Sequence, residues 1–536
     1  MSNTSSDVTE LVPAPVAHDP PLDVTEPPRV VPVLLLAVVS TGLLGASSLA
    51  LAPLSALLAT PFLGGLLVLL APVSHRGVLR ALTLVTSVVT LVRAWSLLGP
   101  FDGSVASLQL VERHPWAPEM GMSYVLGVDG LSFPLVLLTT LVSTVATVAS
   151  ANLGDRPRGF WGCLLLLEAA MLGVFTAQDW FLFYSFWEIT LIPLFLLVGV
   201  WGGAGRHHAA MSFFLYTLAG SIFMLLAMLA AHDATPGHTF DMAEMAHAAR
   251  SWPLNFQEMV LLGFLLGFAV KIPVFPLHGW LPLAHVEAPV PVSMLLSAVL
   301  LKMGSYGLLR VGVMVPAALD AFAPVLMGLA LVNIIYGALM SWRQNDLKSA
   351  VAYSSVSHMG FVVLGISAAN LTGLVGATMQ MLTHGIITAG LFMMVGALYH
   401  RTHTRQLTEY GGLGPRVPVL AAFTTVAVLG SMGLPGLAGF VSELHTLVGG
   451  FERWGMVAVL ACVGVIITGA TCIRILARAF MGPANPRLPH LGDANVWEWV
   501  GMAPLVLLVV GLGLQPALAL DLMSATLGRM AAALNR

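Results

Sequence analysis

Lys271-Ile272-Pro273-Val274-Phe275-Pro276-Leu277-His278-Gly279-Trp280-Leu281-Pro282 closes an apolar run that began near residue 257. Proline removes a backbone donor and breaks a helix interior. A break at membrane depth survives only where protein or a wet cavity satisfies the freed backbone groups. The stretch Gly430-Ser431-Met432-Gly433-Leu434-Pro435-Gly436-Leu437-Ala438-Gly439-Phe440-Val441-Ser442-Glu443 repeats the pattern in another apolar run. Paired broken helices mark transporters built from inverted repeats, and these two lie about 160 residues and five candidate spans apart. An odd number of spans turns the second unit upside down relative to the first.

The rest of the chain fits a membrane setting. Of 536 residues, 57% are hydrophobic, only 9% are Asp, Glu, Lys or Arg, and mean hydropathy is +0.88. A soluble domain carries about 25% charged residues, so a soluble enzyme is excluded. A net charge of −3 without a basic patch excludes a nucleic-acid binder. Cys163, Cys462 and Cys472 are scattered and lack CxxC spacing, which argues against a disulfide scaffold and an iron–sulfur cluster. No GxGxxG or P-loop suggests a nucleotide, and no HxxxH or Cys/His cluster suggests a metal. No cofactor is expected on this chain.

Apolar windows long enough to span about 30 Å of hydrocarbon fall at 30–51, 53–73, 78–98, 130–151, 160–177, 179–201, 209–231, 257–279, 291–312, 323–342, 347–367, 372–399, 418–449, 455–479 and 497–519. Residues 1–29 are polar, acidic and aperiodic and read as a disordered tail. Residues 30–51 read as an extra hydrophobic segment. It is taken as a spanning helix, with a surface segment or a signal cleaved near Ala50-Leu51-Ala52 as alternatives. The membrane domain is expected over 52–520, with 521–536 as a C-terminal tail.

Apart from Arg29, Lys271 and Lys302, the 23 cations divide unevenly between the two sides of these spans. One side would carry Arg76, Arg80, Arg156, Arg158, Arg206, Arg343, Lys348, Arg401, Arg405, Arg416, Arg474, Arg478 and Arg487. The other would carry Arg93, Arg113, Arg250, Arg310, Arg453, Arg529 and Arg536. The positive-inside rule makes the first side cytoplasmic and places the C-terminus outside. The 23 cations include only three lysines, of which Lys271 and Lys302 lie inside apolar runs.

A charge at the bilayer centre costs at least about 2.5–3.5 kcal/mol on insertion scales. Glu168, Glu188, Lys271, Lys302 and Glu443 are placed there, with His278, His358 and His384 in or near the same layer. The bland alternative is that they pair to hold helices together. One ion pair would suffice for that, whereas acids, lysines and histidines recur from 168 to 443. Burial disfavours the charged form of an amine. A carboxylate about 5 Å away opposes it by roughly 3 kcal/mol at an effective dielectric near 20. A change in their separation would therefore load or unload a proton, and imidazoles would relay it. Ser354, Ser355, Ser357 and Thr383 would organise water, although helix packing is the default for any one hydroxyl. His207, His208, His400 and His403 read as solvated loop residues, and His285 with Glu287 as a helix end or loop anchor. The 26 Met read as lipid-facing or core residues.

The phrase Phe186-Trp187-Glu188-Ile189-Thr190-Leu191-Ile192-Pro193 resembles the glutamate helix of the antiporter-like subunits of NADH:quinone oxidoreductase, respiratory complex I, most closely the M (chain 4) type. The resemblance extends to Lys271-Ile272-Pro273, His278-Gly279-Trp280-Leu281-Pro282 and Leu301-Lys302-Met303-Gly304. It continues in Asn345-Asp346-Leu347-Lys348, Ala352-Tyr353-Ser354-Ser355-Val356-Ser357-His358-Met359-Gly360, His384-Gly385 and Leu434-Pro435-Gly436 with Phe440 and Glu443. It covers roughly 53–520. The M-like features are the Trp187–Pro193 phrase, a terminal Glu443 where the N type presents Lys, and no long lateral helix after the last core helix. Residues 1–51 are an extension that the family pattern does not require.

The resemblance implies an all-α polytopic membrane protein of fourteen core helices in two inverted five-helix repeats, with two broken helices. It implies proton translocation driven by redox chemistry in other subunits. Glu188 and Lys271 resemble the coupled pair of the first half, Lys302 the central relay aided by His278, His358 and His384, and Glu443 the terminal site. Glu168 matches an additional glutamate on the preceding helix. The expected partners are other membrane subunits of a complex I-like assembly, the lipid bilayer and protons, but no nucleic acid. The expected location is a bacterial-type inner membrane. Mrp-type cation/proton antiporters and membrane-bound hydrogenases carry similar subunits and are the rival transport readings. A purely structural subunit is the rival from another class.

Overall fold

In a computed structural model, the structure describes residues 52–71, 75–152, 155–486, 488 and 491–535. The expected tail 1–29, the segment 30–51, Arg29, Arg487 and Arg536 lie outside the described residues.

Helices α1 (Pro53–Leu70) and α2 (Arg76–Ser96) are followed by a hairpin, β1 (Gln109–Ala117) and β2 (Met122–Val128). Then come α3 (Phe133–Ala149), α4 (Pro157–Thr176), α5 (Trp180–Ile189), α6 (Leu191–Trp201), α7 (Arg206–Asp233), the short α8 (Met242–Ala248) and α9 (Leu254–Lys271). After the first interruption lie α10 (Trp280–Glu287), α11 (Val290–Leu295), a π turn (Leu296–Leu300), α12 (Leu301–Met314), α13 (Pro316–Arg343), α14 (Leu347–Ala368) and α15 (Leu371–Thr402). The chain continues through α16 (Pro418–Ser431), α17 (Ala438–Trp454), α18 (Met456–Val459), α19 (Ala461–Phe480), α20 (Val496–Leu514) and α21 (Ala517–Leu534).

Each expected window from 53–73 to 497–519 contains a helix or a broken pair. Among the described residues, 13 helices are long and apolar enough to cross a membrane, while α3 and α16 are shorter apolar helices. Two elements differ from expectation. The antiparallel hairpin was unforeseen, and the supposed tail after 520 is the body of α21, which packs on α15, α13 and α3. Helix α21 stays close because Gly130 N donates to Thr526 Oγ1 at 3.0 Å.

The hairpin also starts the first helix. Ala52 has no side chain with which to cap α1, and Glu112 on β1 takes that role from 57 and 58 residues away. Its carboxylate accepts from Leu54 N at 2.6 Å, Ser55 N at 2.9 Å and Ser55 Oγ at 2.5 Å, which satisfies donors that a helix N-terminus otherwise leaves open.

Both proline–glycine stretches interrupt their helices, the first between Lys271 and Trp280 and the second between Ser431 and Ala438. Asn333 on α13 satisfies the first break. Its Oδ1 accepts from Phe275 N at 2.7 Å, and its Nδ2 donates to the Pro273 carbonyl at 3.1 Å. Trp280 Nε1 donates to the Val270 carbonyl at 2.9 Å. Protein side chains thus replace the lost helix bonds, as a break in hydrocarbon requires.

The interior is built from four spans. The best membrane-length window is 100% buried in Val290–Met314, 94% in Leu371–Thr402, 89% in Pro157–Thr176 and 83% in Leu347–Ala368, against 28% in Val496–Leu514. Those four carry Lys302, His384, Glu168 and His358, whereas Glu188 and Lys271 lie on spans only 50% and 56% buried.

Candidate functional site

The Lys302 centre is made by a defect in its own helix. A π turn widens the backbone ladder and frees carbonyls from their usual partners. Here Lys302 Nζ donates to the Ser297 carbonyl inside the π turn at 2.5 Å and lies 2.7 Å from His384 Nδ1. The Ser297 hydroxyl meets Ser355 Oγ at 3.1 Å. Gly304 lets α12 seat directly on α9, since a Cβ there would lie 2.8 Å from Ile272 Cγ1 and 2.9 Å from the Phe268 carbonyl oxygen.

From Lys302 the buried polar groups continue through two neighbouring histidines that share no hydrogen bond, His384 Nε2 having no partner. The His384 and His358 rings have centroids 5.4 Å apart. His358 Nδ1 lies 3.1 Å from Glu443 Oε1, and its Nε2 lies 3.1 Å from Ser431 Oγ, the last residue before the second break. Gly433 has φ +75°, and a Cβ there would come within 2.7 Å of Glu443 Oε2, so the break brings bare backbone against the carboxylate. Gln380 Nε2 reaches His358 Nδ1 at 3.4 Å, and Ser442 bonds both Gln380 Oε1 and Thr383, the latter at 2.9 Å. Lys302, His384, His358 and Glu443 are all buried.

The first-half pair is looser. Lys271 is fully buried at the end of α9, its Nζ has no hydrogen-bond partner, and it sits 5.3 Å from the Trp187 ring centroid and 5.2 Å from that of Phe213. Glu188 is the carboxylate whose charge reaches it, yet no ion pair within 4.0 Å joins them among the described residues. Glu188 Oε1 is buried without a partner. Thr190 separates α5 from α6 and Pro193 lies in the first turn of α6, so this acid sits beside the interruption between the two helices.

Glu168 stands apart. Its Oε2 accepts from Ser87 Oγ at 3.5 Å, Ser87 in turn meets Thr147 at 3.4 Å, and Oε1 has no partner. A residue serving as ionic glue needs a cation, and none pairs with Glu168 among the described residues. His278 also lies off the central chain. It stacks on Phe275 and meets Tyr336 OH at 3.3 Å through Nε2, while Nδ1 is unpartnered. Ser354 and Ser357 donate to helix carbonyls, which is the packing role, whereas Ser355 and Thr383 join the polar cluster.

Two residues were misread from sequence. His285 is no loop anchor. It is fully buried, stacked on Phe392 at 4.6 Å, with neither ring nitrogen bonded, and its charged neighbours are Lys348 and Lys302. Lys348 is not a solvated loop cation. It is 5% exposed, and its Nζ donates to the carbonyls of Ala288 and Val286. The available signal was the lysine count itself: all three lysines are buried. Glu287 does anchor a loop, accepting from Gly205 N at 2.9 Å, and His207, His208, His400 and His403 are exposed.

The family model described as "NADH:quinone oxidoreductase/Mrp antiporter, TM" matches residues 177–468, which spans both breaks and the candidate groups from Glu188 to Glu443. The chain belongs to this family. It is 46% identical over 440 residues to NAD(P)H-quinone oxidoreductase chain 4 1 of Synechococcus sp. (strain JA-3-3Ab), covering 80% of this chain and 83% of that protein. It is 44% identical to NAD(P)H-quinone oxidoreductase chain 4 of Gloeobacter violaceus over 80% and 83% of the two chains. Among solved structures it is similar to a chain of respiratory complex I from Thermus thermophilus, with TM-score 0.83, 31% identity and 90% and 99% coverage of the two chains. A chain of the Mrp complex from Dietzia sp. DQ12-45-1b gives TM-score 0.79 at 25% identity, covering 89% of this chain and 52% of that one. This family member is therefore a multi-pass membrane protein whose relatives are subunits of multi-subunit membrane complexes.

Proposed function

We propose that the chain is a proton-translocating membrane subunit of a complex I-like NAD(P)H:quinone oxidoreductase, driven by redox chemistry in other subunits. The carrying observation is the buried series Lys302, His384, His358, Glu443, with 2.7 Å from Lys302 Nζ to His384 Nδ1, 5.4 Å between the two imidazole centroids and 3.1 Å from His358 Nδ1 to Glu443 Oε1. Each member binds and releases a proton. Lys271 and Glu188 form a separately controlled loading site, because their separation leaves room for the charge coupling to change. His285 and Lys348 extend the series from Lys302 towards the arginine-rich loops. The chain itself holds no redox centre in this reading, and it sits in a bacterial-type inner membrane with the arginine-rich loops inside.

The cation/proton antiporter reading draws on the likeness to the Mrp complex. The chemistry of the path favours protons. Three lysines and three histidines offer amines and imidazoles, which bind protons and repel alkali cations once charged. The test is Glu443→Gln, which keeps the shape and removes the titratable group. The complex should assemble, while donor-driven proton uptake in inverted vesicles should fall by roughly a hundredfold, the loss typical of a missing proton-transfer group. Full uptake in the Gln variant would sink the assignment.

A further inference from the structure

Gln380 is buried where the three helices that carry His384, His358 and Glu443 meet, and it is no member of the relay. It stands one turn before His384 on α15. Thr383 immediately precedes His384, and Ser442 immediately precedes Glu443 on α17. Ser442 Oγ donates to Gln380 Oε1 and, at 2.9 Å, to the Gly439 carbonyl. With its proton so used, Ser442 accepts from Thr383 Oγ1 at 2.9 Å. Glycines hold this clamp in register. A Cβ on Gly376 would collide with Thr446 N, and one on Gly449 with Gly373 N, so α15 and α17 touch backbone to backbone.

The amide oxygen is thus engaged, and the amide nitrogen turns to His358. Gln380 Nε2 lies 3.4 Å from His358 Nδ1, the same ring nitrogen that lies 3.1 Å from Glu443 Oε1. An amide nitrogen only donates, so Nδ1 must offer it a lone pair. A neutral imidazole then carries its proton on the other nitrogen. His358 Nε2 has a partner for that proton in Ser431 Oγ at 3.1 Å. Glu443 also meets the lone pair on Nδ1. An ionised carboxylate, an acceptor only, cannot satisfy it, whereas a protonated carboxyl can. Every hydrogen-bond contact of the ring therefore fits one arrangement, with protons on His358 Nε2 and on Glu443. A proton on Nδ1 would face the amide hydrogens of Gln380.

We infer that Gln380 is a positioning residue that fixes the tautomer of His358 and so delivers the proton at this end of the relay to Glu443. The inference rests on the translocation reading above. The step is a proton transfer alone. The Nδ1–H bond of the His358 imidazolium breaks and the O–H bond of Glu443 forms. Imidazolium and carboxylate become imidazole and carboxylic acid, and the net charge is unchanged. Gln380 neither gives nor takes the proton. Its amide stabilises the ring only after the proton has left Nδ1, which makes the return transfer the less favourable direction.

Two variants of the assembled complex test it. Gln380→Met keeps the length of the side chain and removes both amide groups. Ser442→Ala leaves Gln380 in place and removes the donor to its oxygen, so the amide is free to turn that oxygen towards Nδ1. In the infrared spectrum, the protonated-carboxyl stretch that Glu443→Gln abolishes belongs to Glu443. It should be present in the wild-type complex and weaken in both variants, as the proton moves back to His358. Donor-driven proton uptake, normalised to assembled complex, should fall roughly tenfold to a hundredfold in Gln380→Met, the range for losing a group that orients a metal-bound imidazole. A residue that only packed the helices would leave the stretch unchanged. No Glu443 stretch in the wild type, or an unchanged stretch in the variants, overturns the assignment, as does normal uptake by Gln380→Met. If Gln380→Met does not assemble, the stretch in Ser442→Ala decides alone. Glu443→Gln separates the two levels. If it is inactive while both variants keep the wild-type stretch and uptake, only the role of Gln380 is wrong. If it pumps normally, the translocation reading has failed and the role of Gln380 fails with it.

Discussion

Lys271 has no hydrogen-bond partner for its Nζ and no carboxylate within ion-pair distance, only the faces of Trp187 and Phe213. A lysine that merely balanced Glu188 would be expected to touch it, since a buried charge is tolerable chiefly when paired. A lysine that must release its proton gains from this looseness. The two roles part company on substitution. Arginine keeps the charge and the aromatic faces but does not deprotonate in a protein. Lys271→Arg should therefore allow assembly and block proton uptake nearly as badly as Lys271→Ala, with quinone reduction falling alongside because the steps are coupled. Near-normal uptake in the Arg variant, with loss confined to Ala, would mean a fixed charge and no carrier. The intramembrane charges were legible in sequence because hydropathy makes a lone Lys or Glu stand out. His285 was not, because three prolines around it, at 282, 289 and 291, mimic a loop. Lys348 was not, because Arg343 and Asp346 beside it mimic a solvated turn.

At the scale of elements, the breaks could be read from Pro and Gly, but what satisfies them could not. Asn333 is 58 residues from the amide it caps, and a single asparagine in α13 carries no local signal. The π turn likewise follows from packing rather than from any residue in Leu296–Leu300, and the hairpin is held by tertiary clamps such as Glu112 to α1. The start of α3 has its own clamp. Asp129, just outside that helix, accepts from both Arg310 guanidinium nitrogens, at 2.7 and 2.8 Å. Burial pushes its carboxyl up, but the Arg310 charge and hydrogen bonds, with the amides of Ser132 and Leu131, hold it below the usual carboxylate range. A depressed carboxylate lends stability that is complete above its unfolded pKa near 4 and is lost as the pH falls through the lower folded value. Asp129→Asn leaves Arg310 uncompensated and should destabilise by about 3–5 kcal/mol. The gap in thermal stability between wild-type and variant complexes should stay flat from about pH 8 to about pH 5. A gap that closed between pH 7 and pH 6 would assign the stabilisation to another group.

The whole molecule has two chemically different ends, and the contacts sort the loops between them. At one end Trp201 Nε1 bonds the Asp155 carbonyl, Glu287 holds the 203–205 turn, Arg405 pairs with Asp346, and Arg401 binds Glu498. At the other end Arg453 pairs with Asp320, Arg310 with Asp129, and Arg113 with Asp241, while Asn535 reaches the Ala369 carbonyl. This is the partition expected from alternating spans, so the arginine bias and the folded geometry rest on the same topology. The sign of the bias then sets the orientation in the membrane, because positively charged loops are retained inside. Arg156 and Arg250 are both exposed, one at each end. In intact cells, an impermeant thiol reagent should modify Arg250→Cys and miss Arg156→Cys. In inverted vesicles the pattern should reverse. Arg156 lies apart from the candidate proton groups, so assembled complex carrying Arg156→Cys should retain donor-driven uptake, which certifies that the labelled chain is correctly inserted. Labelling of Arg156→Cys from outside in such active complex would invert the molecule. The hairpin end would then face the cytoplasm.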